Sequence, residues 1–206
     1  MAIMSLAVVV GHILAWLGQR WEKAALAINI LVALLILFEY LPAPLSLADR
    51  SVPLIYQTIL QDKEPGSVLD MPFGINDSFT NLGGWNPQAM YYQTITAKPI
   101  IGAHISRVPS AVIEAYAQMP IIGRLAKIEE GADYNIAEVH ADQLYRDDVI
   151  KLIDLRYIVI SASYEKEPGS KYILQVFNGC LEPVSSDHRA LGYRVLRPCP
   201  ALTPSP

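Results

Sequence analysis

The chain has 206 residues, 52% of them hydrophobic and 17% charged, and its 16 basic and 20 acidic side chains leave a net charge of −4. No basic stripe or aromatic-plus-arginine array offsets that mild acidity, which excludes a nucleic-acid binder. The apolar excess is concentrated at the start, where the first 48 residues hold only Arg20, Glu22, Lys23 and Glu39 as charged groups.

Two apolar runs, Met1 to Gly18 and Ala24 to Leu41, flank the polar turn Gln19-Arg20-Trp21-Glu22-Lys23. Each run of about 18 residues gives roughly 27 Å as a helix, close to the hydrocarbon thickness of about 30 Å. The pattern therefore predicts a transmembrane hairpin over residues 1–48, with spans of about 1–18 and 24–41. Arg20 and Lys23 place the turn in the cytoplasm and the rest of the chain outside it, at the cell (inner) membrane. His12 and Asn29 are polar exceptions within the spans. They either contact each other or point to additional membrane helices or a homo-oligomer as partners, alongside the lipid bilayer. Two rival readings are a buried helix pair in a soluble core and a secretory signal cleaved near Ser46-Leu47-Ala48.

Residues 49–197 read as one extracytoplasmic α/β domain, followed by a disordered Pro-rich tail over 198–206. A short amphipathic helix over Val52 to Leu60 is expected along the membrane surface. Ser67 to Pro72 is an apolar strand closed by proline, and Phe73 to Asn86, rich in Gly, Asn, Asp and Ser, reads as a long loop. Val112, Ile113, Tyr116, Met119 and Ile122 recur at helical intervals, with Pro120 splitting or kinking the element. A helix from Glu138 to Leu155 runs into a β-branched strand, Arg156 to Ala162. Pro168 opens another helix that ends at Asn178-Gly179. Glu182 to Ser186 and Leu191 to Leu196 flank the polar turn Asp187-His188-Arg189 as a hairpin. The fold class expected is thus two N-terminal transmembrane helices followed by a small mixed α/β domain. Cys180 and Cys199 are either a disulfide or two separate thiols.

The series Val68-Leu69-Asp70-Met71-Pro72-Phe73-Gly74, Met90 to Ile100 and Ser106-Arg107-Val108-Pro109 resembles the C-terminal extracytoplasmic region of bacterial polytopic membrane proteins. Those proteins are similar to C-type glycosyltransferases, which use polyprenyl-phosphate sugars, and some are catalogued as related to 6-pyruvoyl-tetrahydropterin synthase. The resemblance implies the C-terminal portion of a larger enzyme, whose outer domain shapes or binds a glycan acceptor. The acidic first outer loop expected to carry the chemistry has no counterpart, because only five residues separate the two apolar runs. The alternative is a non-enzymatic, membrane-anchored interaction domain in cell-envelope assembly.

The residues themselves offer one surface with binding chemistry. Trp85, Tyr91 and Tyr92 are suited to stacking on sugar rings, Asn86 and Gln93 to hydrogen-bonding hydroxyls, and Lys98, His104 and Arg107 to meeting a phosphate. Packing of the aromatics beneath the loop, with Arg107 tying its ends or pairing Asp70, accounts for the same residues. Asp70, at a strand end beside a proline, is either an acid/base or half of an ion pair. The histidines are too scattered for a metal site, and no nucleophile elbow, phosphate loop or Cys-x-x-Cys occurs, so no cofactor, metal or catalytic residue is assigned.

Overall fold

The computed structural model describes residues 2–21, 23–39, 41, 51–77, 79–84 and 86–200. The chain divides into two compact units, Met1–Arg50 and Ser51–Pro206. Pro42 to Pro44, the Ser46 to Ala48 site and residues 201–206 of the tail lie outside the described residues.

The first unit is a helical hairpin, α1 (Ala2–Arg20) and α2 (Ala25–Glu39), turned where the Ala24 amide donates to the Trp21 carbonyl at 2.9 Å. It corrects the expected transmembrane hairpin: among the described residues no helix is long and apolar enough to cross a membrane. The reason lies in where the helices stop. α2 has 15 residues, about 22 Å at 1.5 Å per residue and well short of about 30 Å. The second apolar run is longer than the helix it forms, because Ala24 belongs to the turn and Leu41 lies past the helix end. α1 has 19 residues and ends on the charged Arg20. The membrane-spanning part of the expected fold class falls with this finding. No described residue of α2 is buried, and Leu26, Leu31, Leu34, Leu37 and Phe38 are all more than half exposed.

The second unit is built on a five-stranded sheet of order β4-β1-β6-β8-β7, comprising β1 (Ser67–Met71), β4 (Ile100–Ile101), β6 (Leu155–Ser161), β7 (Leu181–Ser186) and β8 (Ala190–Val195). β1 runs parallel to both β4 and β6, whereas β8 is antiparallel to β6 and β7. Side chains alternate across β1 and β6, and both faces are covered, so β1 is buried along its whole length and β6 over most of its own. Val68, Tyr157 and Val159 meet Ile55, Tyr56 and Ile59 of α3 (Leu54–Gln61) and Tyr92 of α4 (Pro87–Thr96). Leu69, Met71, Ile158 and Ile160 face the other way, into the larger core. That core is closed by α6 (Ile122–Glu129), α8 (Arg146–Leu152) and α9 (Pro168–Val176), each of which contributes buried apolar residues to it. α3 therefore packs on the sheet through Ile55, Tyr56 and Ile59.

The long loop expected over Phe73 to Asn86 contains two short strands, β2 (Gly74–Asn76) and β3 (Asn81–Gly83), which form a second sheet with β5 (Ala103–His104). Glycine is required at position 74, where a Cβ would lie 1.3 Å from the Gly84 carbonyl oxygen. The helix expected across Pro120 is two helices, α5 (Ser110–Gln118) and α6, and that expected from Glu138 to Leu155 is also two, α7 (Ile136–Gln143) and α8. Leu144, at the break between α7 and α8, is 77% exposed. Cys180 and Cys199 form a disulfide, which fastens Cys199 of the expected tail to the end of α9.

Candidate functional site

The connections leaving β1 reach its two neighbours over opposite faces. α4 carries the chain to β4 over the face that α3 covers, and the return to β6 runs through helices of the other face. In open α/β sheets such a reversal leaves a crevice at the carboxyl ends of the strands, where ligands commonly bind. Asp70 lies near that end of β1, on the α3–α4 side, and is only 4% exposed. The Tyr56 hydroxyl donates to its Oδ2 at 2.5 Å, and the Asn86 amide donates to its Oδ1 at 3.3 Å. Tyr56 is itself stacked on Tyr92, with ring centroids 4.0 Å apart. Burial raises the Asp70 carboxyl to about 7 even though both hydrogen bonds favour the ionised form. Such a group can store or relay a proton. The crevice above it, lined by Pro72, Gly74, Ala89 and Gly102, has an internal volume of about 10 Å³, which admits about one water and no substrate ring.

A second carboxyl flanks the same strand end from the opposite face. Glu129, at the end of α6, accepts the Tyr164 hydroxyl, and its other oxygen is buried without a partner. Burial raises it to about 7 against the pull of Tyr164 and the Phe73 amide. Gly84 and Gly169 leave room for this carboxylate; a Cβ at Gly169 would lie 2.4 Å from Oε1.

The most exposed arrangement with binding chemistry lies on the small sheet. Asp77 Oδ1 accepts the amides of Phe79 and Thr80 at 2.7 and 2.5 Å, and its Oδ2 accepts that of Val108 at 3.3 Å. These donors, Phe79 first, hold its carboxyl below the usual carboxylate range, with a smaller contribution from the charge of His104. One side chain thus clamps the turn after β2 to the segment after β5. The clamped tip presents Phe79, 88% exposed, together with Ile105, His104 and Arg107.

The residues singled out from sequence fall into separate places. Asn86 and Tyr92 are joined to Asp70 and Tyr56 inside the domain, and Asn86 also caps α4 by accepting the Gln88 amide at 3.0 Å. Tyr91 is exposed and Gln93 half-buried on α4. Lys98 is buried at the amino ends of β1 and β4, where its ammonium donates to the Glu64 carbonyl. The 10 residues of α4 hold Lys98 about 15 Å from Asn86, too far for a shared ligand contact. His104 and Arg107 belong to the Asp77 tip, and Trp85 lies outside the described residues. Sequence reasoning missed Tyr56, Asp77 and Glu129. Tyr56 and Glu129 carry no local signal, whereas the Asp-x-x-Thr turn at Asp77 does mark an Asx-type hydrogen bond. Among the described residues no group of three His, Cys, Asp or Glu side chains could hold a metal ion.

Comparison with protein-family models, with curated proteins and with solved structures returned no match.

Proposed function

We propose that the Ser51–Pro206 unit is a recognition domain for an anionic glycan, working as the acceptor-binding part of a glycosyltransferase-like system and holding no catalytic centre of its own. The observation that carries this reading is the Asp77 clamp, which gathers an aromatic face, Phe79, and two basic side chains, His104 and Arg107, on one exposed tip. An aromatic beside cations suits a sugar ring bearing a phosphate. The narrow crevice at Asp70 supports a binding role over a catalytic one, and the Cys180–Cys199 disulfide supports an extracytoplasmic, oxidising setting.

NMR titration with N-acetylglucosamine 1-phosphate tests the proposal. Saturable shifts at 77–80 and 104–108, weakened about tenfold or more in His104→Ala/Arg107→Ala, are expected if two charge-assisted hydrogen bonds are lost. Equal affinity in the double variant, or an equal response to inorganic phosphate alone, would overturn it.

A protein-interaction domain is the second reading. Ile136, Tyr145 and Leu152 of the α7–α8 region are 62%, 48% and 69% exposed, an apolar surface suited to a protein partner. Crosslinking that maps to α7–α8, with no response to any glycan phosphate, would favour it.

A further inference from the structure

An open pocket of about 180 Å³ lies where α5 meets α6, walled by Gln118, Met119, Pro120, Arg124, Lys127 and Asp142. Its walls are held in place before any ligand arrives. Arg124 Nε donates to Asp142 Oδ2 at 2.5 Å, a second guanidinium nitrogen pairs with Glu138, and the Tyr172 hydroxyl donates to Asp142 at 2.7 Å. Glu138 is fixed in turn by a capping box with Asn135 at the start of α7. Asp142, 6% exposed, is thus a rigid acceptor at the pocket wall, whereas Gln118 and Lys127 are exposed at its rim.

The turn that makes the pocket is itself unusual. Ile121 has φ 66° and ψ −60°, a conformation that a β-branched residue adopts only at a cost of about 1–3 kcal/mol. It closes a three-residue turn in which the Ile122 amide donates to the Pro120 carbonyl at 2.7 Å. Gly123 allows α6 to start against α5, since a Cβ there would lie 2.2 Å from the Ala117 carbonyl oxygen. Backbone strain of this kind persists where surrounding structure enforces it, often around a binding site.

The lining selects a ligand class. The Arg124 charge is taken up by Asp142 in the wall and by Glu138 outside the lining, which leaves Lys127 at the rim as the one unpaired charge among the lining residues and a wall built mainly of hydrogen-bonding groups. Donors from Gln118, Arg124 and Lys127 stand beside acceptors from Asp142 and Gln118, and Met119 and Pro120 add an apolar wall. That combination suits a neutral polyol. The volume lies below the roughly 300–1,000 Å³ of sites for larger organic ligands, which limits the occupant to a single ring. We propose that this pocket binds one neutral monosaccharide. It is a site distinct from the Asp77 tip, separated from it by the nine residues of α5, or roughly 13 Å.

The test is an NMR titration of the full chain with glucose, galactose, mannose and N-acetylglucosamine in turn. Saturable shifts at Gly123, Arg124 and Lys127 for at least one sugar are expected, with affinity falling about tenfold in Gln118→Ala and in Lys127→Ala. Both altered side chains are exposed, so the fold is retained and its spectrum reports that directly. The His104→Ala/Arg107→Ala chain should bind the sugar as the unaltered protein does, whatever it does with a sugar phosphate. Absence of saturation with all four sugars overturns the pocket, and so does loss of binding in that double variant, which would move the sugar to the tip.

Discussion

Replacing Asp70 by Asn should invert its effect on stability between acid and alkaline pH. The carboxyl is 4% exposed and its folded-state value stands at about 7, against 3.8 for an aspartate in water. A raised value means that the folded protein holds the proton more tightly than the unfolded chain. The associated stabilisation is complete below 3.8, falls as pH rises and is lost above about 7. At about 1.4 kcal/mol per pH unit, that interval corresponds to about 4 kcal/mol. Asn matches the neutral carboxyl in shape but cannot satisfy the Tyr56 hydroxyl and the Asn86 amide equally well. At pH 4 the variant should therefore be less stable by about 1 kcal/mol. At pH 8 the same substitution removes a buried charge, and the variant should be more stable by about 3 kcal/mol. Urea unfolding of both proteins at several values from pH 4 to pH 8 provides the measurement. Glu129, also raised to about 7, titrates in the same window. It is present in both chains, so the difference between them isolates Asp70. A stability difference that stays constant with pH would refute the reasoning.

Tyr56→Phe should cost about 1–3 kcal/mol by leaving Asp70 short of a buried donor, and should carry the fall in stability on to higher pH, because the hydroxyl it removes favours the ionised carboxyl; urea titrations at pH 6 and pH 8 read both effects. Cys199→Ser should lower stability by about 3 kcal/mol, the chain-entropy value for a loop with a sequence separation of 19. The same loss should follow when reductant is added to the unaltered chain, and an unchanged urea midpoint under reduction would contradict it. Gly123→Ala should cost at least about 2 kcal/mol, because the atom it would meet is backbone and cannot rotate away; thermal unfolding followed by circular dichroism measures the shift.

Residues with a strong local signal could be placed from the sequence. The β-branched runs at Val68 and Ile158 to Ile160 lie in β1 and β6, Pro120 marks the break between α5 and α6, and Pro168 and Gly179 bracket α9. The strands β2, β3 and β5 could not be foreseen. Each has two or three residues and exists through pairing with a distant segment, as Ile75 does with both Leu82 and Ala103. For the second apolar run the membrane reading failed on length: apolar composition continues past the point where α2 stops being helical. The candidate surface was misjudged in part for a related reason. Asn86, Tyr92 and Lys98 have side chains suited to a ligand, but each satisfies a partner brought near by the fold, and only burial distinguishes the two uses.

The Cys180–Cys199 bond also decides how the domain carries mechanical load. β8 is the last strand among the described residues and lies between β6 and β7. Without the bond, tension applied beyond residue 199 would act directly on β8, stripping it from β6 one residue pair at a time and taking β7 with it. With the bond in place the force passes from Cys199 to Cys180 and on to α9, and residues 181–198 drop out of the path. The hairpin is then a slack loop, and the element under strain is a helix packed by Tyr172, Ile173 and Val176 against the core. Rupture by pulling should then require shear of that packed helix, and reduction should return the domain to low-force unzipping.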